Sequence, residues 1–172
     1  MFSLSKKNSF YEGKLYNKII LFTRNKYFYK HIGLNDTFQN RINLIFFHIS
    51  FLIIKLTTNN QDFILKKFSQ KIFDYMFTKI EENMRELGYG DVIVNKNMKH
   101  LLKLFYNILL KCENYDKLDN KKKRDLFNKY LTFKNPSEKH NLIELIKYFD
   151  QFRSFCFDLP VNSVIKGDLN FK

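Results

Sequence analysis

Between Gln61 and Leu87 the apolar residues return every three or four positions. Phe68, Ile72, Phe73, Met76, Phe77, Ile80, Met84 and Leu87 fall on one half of a helical wheel, and Lys67, Asp74, Glu81 and Arg85 share the opposite stripe. That period predicts an amphipathic helix with one buried face. A second such run spans Lys96 to about Tyr115. Met98, Leu101, Leu102, Leu104, Phe105, Ile108, Leu109 and Cys112 form its apolar arc, with Lys96, Lys99, His100, Lys103 and Lys111 outside. Gly88 is expected to stop the first helix and Asn95 to cap the second. The stretch "DTFQNRINLIFFHISFLIIKL" differs, being apolar almost all round, which predicts a helix buried on every side. Asp36 or Thr37 is placed to cap it.

The rest of the chain is less periodic. Residues up to about 12 read as a flexible arm. From Gly13 to Asn35 the apolar positions scatter around the wheel, so this segment is either buried on several sides or a helix broken near Arg24-Asn25, with Gly33 as a C-cap. Asn59-Asn60 mark a turn. The elbow "KLDNKKKRD" leads into a short helix through Leu131. Asn135-Pro136 carries a cap-plus-first-turn signature, opening a last helix that ends before Pro160. The tail "VNSVIKGDLNFK" reads as extended. The expected fold is all-α: a compact single-domain bundle of about five to six helices over 13–160, with a short extended C-terminal tail over 161–172.

Composition supports that class. The 172 residues are 45% hydrophobic and 17% aromatic, too apolar for a disordered tail, and seven Gly and Pro together leave little turn chemistry for a sandwich or barrel. The charge changes the picture more. Thirty Lys and Arg against 17 acids give a formal +13, which favours an anionic partner: nucleic acid, ribosome or membrane surface. Ile42 to Leu56 is interrupted by Asn43, His48, Ser50 and Lys55, short of the roughly 18 to 20 apolar residues of a membrane span. No signal or transit pattern opens the chain. Cys112 and Cys156 lack metal spacing and read as reduced core residues. Phosphate-loop, Gly-x-Ser-x-Gly and Cys-x-x-Cys motifs are absent.

Four local patterns carry more information together than apart. Leu15-Tyr16 opens a basic-aromatic stretch ending in Tyr29, ahead of Gly33-Leu34-Asn35-Asp36-Thr37. Arg41 precedes His48 by seven residues. Phe73-Asp74 precedes Met76-Phe77. Last comes Met84-Arg85-Glu86-Leu87-Gly88-Tyr89-Gly90-Asp91. In order and spacing, Leu15 to about Tyr115 resembles the ubiquinol–cytochrome c chaperone family, and "IKGDLNF" is similar to a segment near the end of its members. Lys117 to Pro160 carries no such motif. Asn40 stands where the family usually has glycine, Glu81 where aspartate is usual, and Tyr89 where a small apolar residue is typical.

The resemblance implies a non-enzymatic role without cofactor, metal or small-molecule substrate. It implies an assembly chaperone for ubiquinol–cytochrome c reductase, respiratory complex III, whose client is newly made cytochrome b. Mitochondrial relatives are associated with translation of that subunit, so a second assembly factor and the ribosome are further candidate partners. Lacking a targeting segment, the chain is expected at the cytoplasmic membrane face of a bacterium; the alternative is mitochondrial.

Arg41, His48, Asp74, Arg85, Glu86, Tyr89 and Asp91 either line a client groove or form a structural network in which Arg41 or Arg85 pairs with Asp74 or Asp91. The structural network is favoured. Gly88 and Gly90 are the candidate hinge between them. His48, within Phe46-Phe47-His48-Ile49, reads as a hydrogen-bonded core residue, since His31, His100 and His140 lack ligand spacing. Lys14, Lys18, Arg24, Lys26, Tyr27 and Lys30, with Lys96, Lys99 and Lys103, are candidate contacts for an anionic membrane or a ribosome. The rival class is an RNA- or ribosome-binding module. Lys121 to Arg124 reads as a solvated elbow.

Overall fold

The structure, a computed structural model, describes residues 10–58, 62–135 and 139–171, without the side chains of 139 and 140. Seven α-helices lie among them: α1 (Phe10–Thr23), α2 (Phe38–Thr57), α3 (Phe63–Glu86), α4 (Asp91–Glu113), α5 (Asn120–Tyr130), α6 (Lys139–Asp158) and α7 (Val161–Ile165). The arm up to residue 9, the Asn59-Asn60 turn and Pro136 fall outside the described residues, as does the side chain of His140. The fold is all-α and forms one domain.

α2 is the hub. It packs against α1, α3, α4 and α6, which is why no face of it is polar. Phe46 points to one side, meeting Phe77 of α3 and Phe105 of α4 with ring centroids 5.8 and 5.2 Å apart. Phe47 points to the other, meeting Phe127 of α5 at 5.1 Å and Phe149 of α6 at 5.4 Å. Each such pair contributes about 0.5–1.5 kcal/mol beyond the apolar area it buries. By length and mean hydropathy (1.2), α2 passes for a membrane span, yet 78% of that window is buried inside the fold. Its apolar surface is already used.

Local chemistry sets most helix ends. Thr37 accepts the Asn40 amide at 3.2 Å, Asp62 that of Ile64 at 2.8 Å, and Asp119 that of Lys122 at 2.8 Å, so each caps its helix. The open question over 13–35 resolves as a break. α1 stops at Thr23, and the Asn25 side chain takes the Tyr27 amide at 3.0 Å, starting a wide π-helical turn over Tyr27–His31.

Several expectations are corrected. α1 begins at Phe10, so 10–12 are helical rather than part of the arm; Glu12 is buried there and lies 3.7 Å from Lys71. The tail is helical over Val161–Ile165 before it extends. It then crosses α1 so closely that a Cβ at Gly167 (φ +67°) would stand 3.0 Å from the Leu15 backbone nitrogen. Lys14 pairs with Asp168 at 2.7 Å, and the Phe171 ring sits 5.2 Å from Phe152 and 5.1 Å from Phe155. Packing against α1, not local alternation, decides the conformation of this tail. In the α5 elbow, Lys123 is not solvated: it reaches Asp150 of α6 at 2.8 Å and lies 4.5 Å from the centre of the Tyr115 ring.

One buried polar side chain closes the fold between distant segments. Asn40, 1% exposed, donates to the carbonyls of Asn35 (2.7 Å) and Thr132 (2.8 Å) and accepts the Thr132 amide at 3.0 Å. Leu34 and Phe133 form an antiparallel bridge beside it, with the Asn35 amide on the Thr132 carbonyl at 3.0 Å and the Lys134 amide on the Gly33 carbonyl at 2.9 Å.

Candidate functional site

The end of α3, the start of α2 and the middle of α1 enclose a cleft of about 280 Å³. Its floor is Tyr16, Ile20, Ile42 and Ile45, and its rim carries Arg24, Phe38, Arg41, Asn83, Glu86 and Leu87. Phe38 and Leu87 are 40% and 65% exposed, although each flanks a helix terminus that could have turned it inward. A second hollow of about 340 Å³, lined by Arg24, Lys26, Tyr29, Lys30, Asp36 and Arg41, shares Arg24 and Arg41 with the first. The cleft therefore joins charged residues of two sequence groups, Arg41 and Glu86 from the family patterns and Arg24 from the basic-aromatic stretch, whose Lys26 and Lys30 line the adjoining hollow.

The charges divide into satisfied and free. Arg41 grips Asp36 with two hydrogen bonds of 2.7 and 2.9 Å. That bidentate bond holds the Asp36 carboxyl below the usual carboxylate range and raises the Arg41 pKa. Neither Arg24 nor Glu86 makes a side-chain hydrogen bond or ion pair among the described residues, although Lys79 feels the Glu86 charge, and both stand above an apolar floor. Such a site can take a helical segment with one apolar face and charges of both signs at its edges.

The expected network holds in one pair, Arg85 with Asp91, and is corrected elsewhere. Arg41 pairs with Asp36 five residues before it, not with Asp74 or Asp91. Asp74 instead accepts from Gln70 at 2.8 Å on its own helix. Arg85 lies between Glu81, at 2.9 Å, and Asp91, and both bonds raise its pKa, the one to Asp91 the more. These pairs are exposed: Arg41–Asp36 and Arg85–Glu81 are local, and Arg85–Asp91 links the end of α3 to the start of α4, so no pair ties three helices together. Tyr89 is exposed beside them.

His48 stands apart from the cleft. It is fully buried, with Nδ1–H donating to the Leu44 carbonyl at 2.6 Å and Nε2 accepting from the Tyr148 hydroxyl at 2.7 Å. Burial among Phe22, Phe28, Phe149 and Phe152 penalises the cation and pushes its pKa down to about 4. Among the basic-aromatic residues, Lys14 is taken by Asp168, Lys18 lies 5.9 Å from the centre of the Phe22 ring, and Tyr27 donates to Glu144 at 3.2 Å. Lys96, Lys99 and Lys103 remain exposed on α4. No group of three or more His, Cys, Asp or Glu among the described residues could hold a metal ion.

The glycine pair of the α3–α4 turn is also revised. Gly88, at φ +86°, ends α3: its amide reaches the Arg85 carbonyl at 2.9 Å and the Tyr89 amide reaches that of Met84 at 3.2 Å. Gly90 has φ −70°, open to any residue, and a Cβ there would meet nothing within 4 Å. Gly90 is itself the N-cap of α4, and Asn95 lies within that helix rather than capping it. In thermal or denaturant unfolding, Gly88→Ala is expected to cost about 1 kcal/mol. Gly90→Ala should change stability by less than about 0.5 kcal/mol, its weaker capping offset by a stiffer unfolded chain. Equal losses at both positions would contradict this division.

Sequence reasoning missed Phe38, Ile42, Ile45 and Asn83 as cleft residues. Phe38 had a signal, an apolar side chain directly after the cap of an otherwise core helix; Ile42 and Ile45 share their pattern with ordinary core positions, and Asn83 with ordinary exposed polar ones.

Similarity to known proteins bears on the fold and the family. The solved crystal structure of the Cbp3 homolog from Brucella abortus superimposes with a TM-score of 0.80 at 25% identity, covering 98% of this chain and 92% of that one. No curated protein matches. The family model described as ubiquinol-cytochrome C chaperone matches residues 30–169, a span that takes in the Arg41, Glu86 and Leu87 side of the cleft, the α3–α4 turn and the Asn40 clamp, and the chain belongs to that family.

Proposed function

We propose that this protein is an assembly chaperone for ubiquinol–cytochrome c reductase that holds newly made cytochrome b at the cytoplasmic membrane face, with the α1–α2–α3 cleft as the client site. The observation that carries the reading is that Arg24 and Glu86, neither in an ion pair among the described residues, line one cleft with an apolar floor in a chain of this family. A membrane-protein client made one segment at a time exposes apolar helices with charged ends. The cleft offers such an end a matching carboxylate and guanidinium, and Phe38 and Leu87 on the rim contribute apolar area. Holding requires no turnover, and the excess positive charge raises the rate of encounter with an anionic surface.

The test is genetic and then local. Deleting the gene is expected to lower cytochrome b and ubiquinol–cytochrome c reductase activity, and the wild-type gene to restore both. Arg24→Glu combined with Glu86→Lys changes two exposed side chains, so the protein stays folded while client binding weakens about tenfold or more. Crosslinking from a photoreactive residue at Phe38 should capture cytochrome b. Normal cytochrome b levels in the deletion strain would refute the chaperone reading. Full rescue by the charge-reversed protein would refute the cleft as its site.

A further inference from the structure

The α3–α4 turn exposes more apolar side chains than the one the cleft uses. Leu87, on the cleft rim, is 65% exposed, and it is followed by Tyr89 at 47%, Val92 at 83% and Ile93 at 50%. From Val92 onward the outward face of α4 continues at spacings of four and three residues through Lys96, Lys99, Lys103, Tyr106 and Leu110. Tyr106 and Leu110 are 49% and 59% exposed. The stripe is thus apolar at both ends and basic in the middle.

We propose that this face of α4, with the turn that leads into it, docks on an anionic lipid bilayer. Four observations support the assignment. Lys96, Lys99 and Lys103 form no ion pair among the described residues, so their charge is available. No acid lies between Asp91 and Glu113, and Asp91 is already held by Arg85. Long lysine stems can lie along lipid while their ammonium groups reach phosphates, with apolar and tyrosine side chains entering at either end. Finally, among the described residues the one helix long and apolar enough to cross a membrane, α2, has 78% of that window buried in the core, whereas the α4 face is open. The proposal rests on the chaperone reading for its setting, a client that is itself inserted in a membrane. It adds an orientation: Leu87 belongs to both surfaces, so docking by α4 brings the mouth of the cleft to the level of the bilayer.

The chain has no tryptophan, which permits a direct test on the full-length protein. Val92→Trp places a reporter on the proposed face, and Ile143→Trp places one on α6 at a site 51% exposed. With phosphatidylcholine vesicles containing phosphatidylglycerol, Val92→Trp emission is expected to shift to the blue and to be quenched by brominated acyl chains. Ile143→Trp should stay unchanged, and phosphatidylcholine alone should have no effect on either. Reversing Lys96, Lys99 and Lys103 to Glu should weaken vesicle binding about a hundredfold, with helix content by circular dichroism unchanged. Unmoved Val92→Trp emission overturns the proposal, as does binding without bromolipid quenching. So does an emission change produced by RNA or by an acidic protein but not by lipid. If deletion lowers cytochrome b while Val92→Trp ignores vesicles, the docking inference fails and the chaperone reading stands. If Val92→Trp docks on vesicles but deletion leaves complex III normal, the chaperone reading fails and the docking surface stands.

Discussion

Asn40→Ala is expected to destabilise the protein by about 3 kcal/mol, seen as a fall in melting temperature of roughly 5–10 °C. The side chain is buried and makes three hydrogen bonds, two to Thr132 and one to Asn35. The carbonyls it serves keep other partners, because the Thr132 carbonyl also accepts the Asn35 amide and the Asn35 carbonyl that of Thr37. The Thr132 amide has no second acceptor, so its unpaired N–H carries the larger part of the loss. The damage should be local as well as global. Amides around Leu131 to Lys134 should exchange faster with solvent, since Asn40 fixes that segment against the start of α2. A change within about 0.5 kcal/mol, the range of ordinary surface substitutions, would mean that Asn40 is not a clamp.

The second large effect is acid sensitivity from His48. Its folded pKa, about 4, lies below the ordinary 6.5 because burial penalises the imidazolium. The unfolded chain therefore binds the proton first. The stabilising contribution is complete above pH 6.5, falls as pH drops through the interval down to about 4, and levels off below it. Across the whole window the loss is about 3 kcal/mol, of which about 2 kcal/mol falls between pH 7 and 5. His48→Gln keeps a donor for Leu44 and an acceptor for Tyr148 but cannot titrate. Its stability should be nearly flat over the upper part of that window, where carboxylates contribute little, while the wild type slopes. Parallel slopes in denaturant titrations at several pH values would place the acid sensitivity elsewhere.

These two residues show how unevenly the molecule was legible. His48 stood out because a polar residue among phenylalanines must be hydrogen-bonded to be tolerated. Asn40 did not, since two of its three hydrogen bonds go to Thr132, 92 residues away in a segment without a recognisable pattern. Arg41 and Arg85 were visible as charges beside apolar helices, and an internal carboxylate partner was a fair expectation. Which carboxylate depended on side-chain reach: Asp36 and Asp91 stand next to the helix ends carrying the arginines, whereas Asp74 lies in the middle of α3. Lys14 read as a membrane or ribosome contact and Lys123 as a solvated cation until the tail and α6 brought Asp168 and Asp150 to them.

By itself, the sequence determined the helical class, the course of α2, α3 and most of α4, and the stop of α3 at Gly88. All of these follow from periodicity and from turn chemistry acting over a few residues. Only the tertiary structure decided which charges are spent and which are free, where the cleft lies, and that Gly90 is unconstrained while Gly167 is indispensable to the tail's path. Those outcomes depend on contacts between segments far apart in the chain, where packing, not local preference, sets the distance between two side chains.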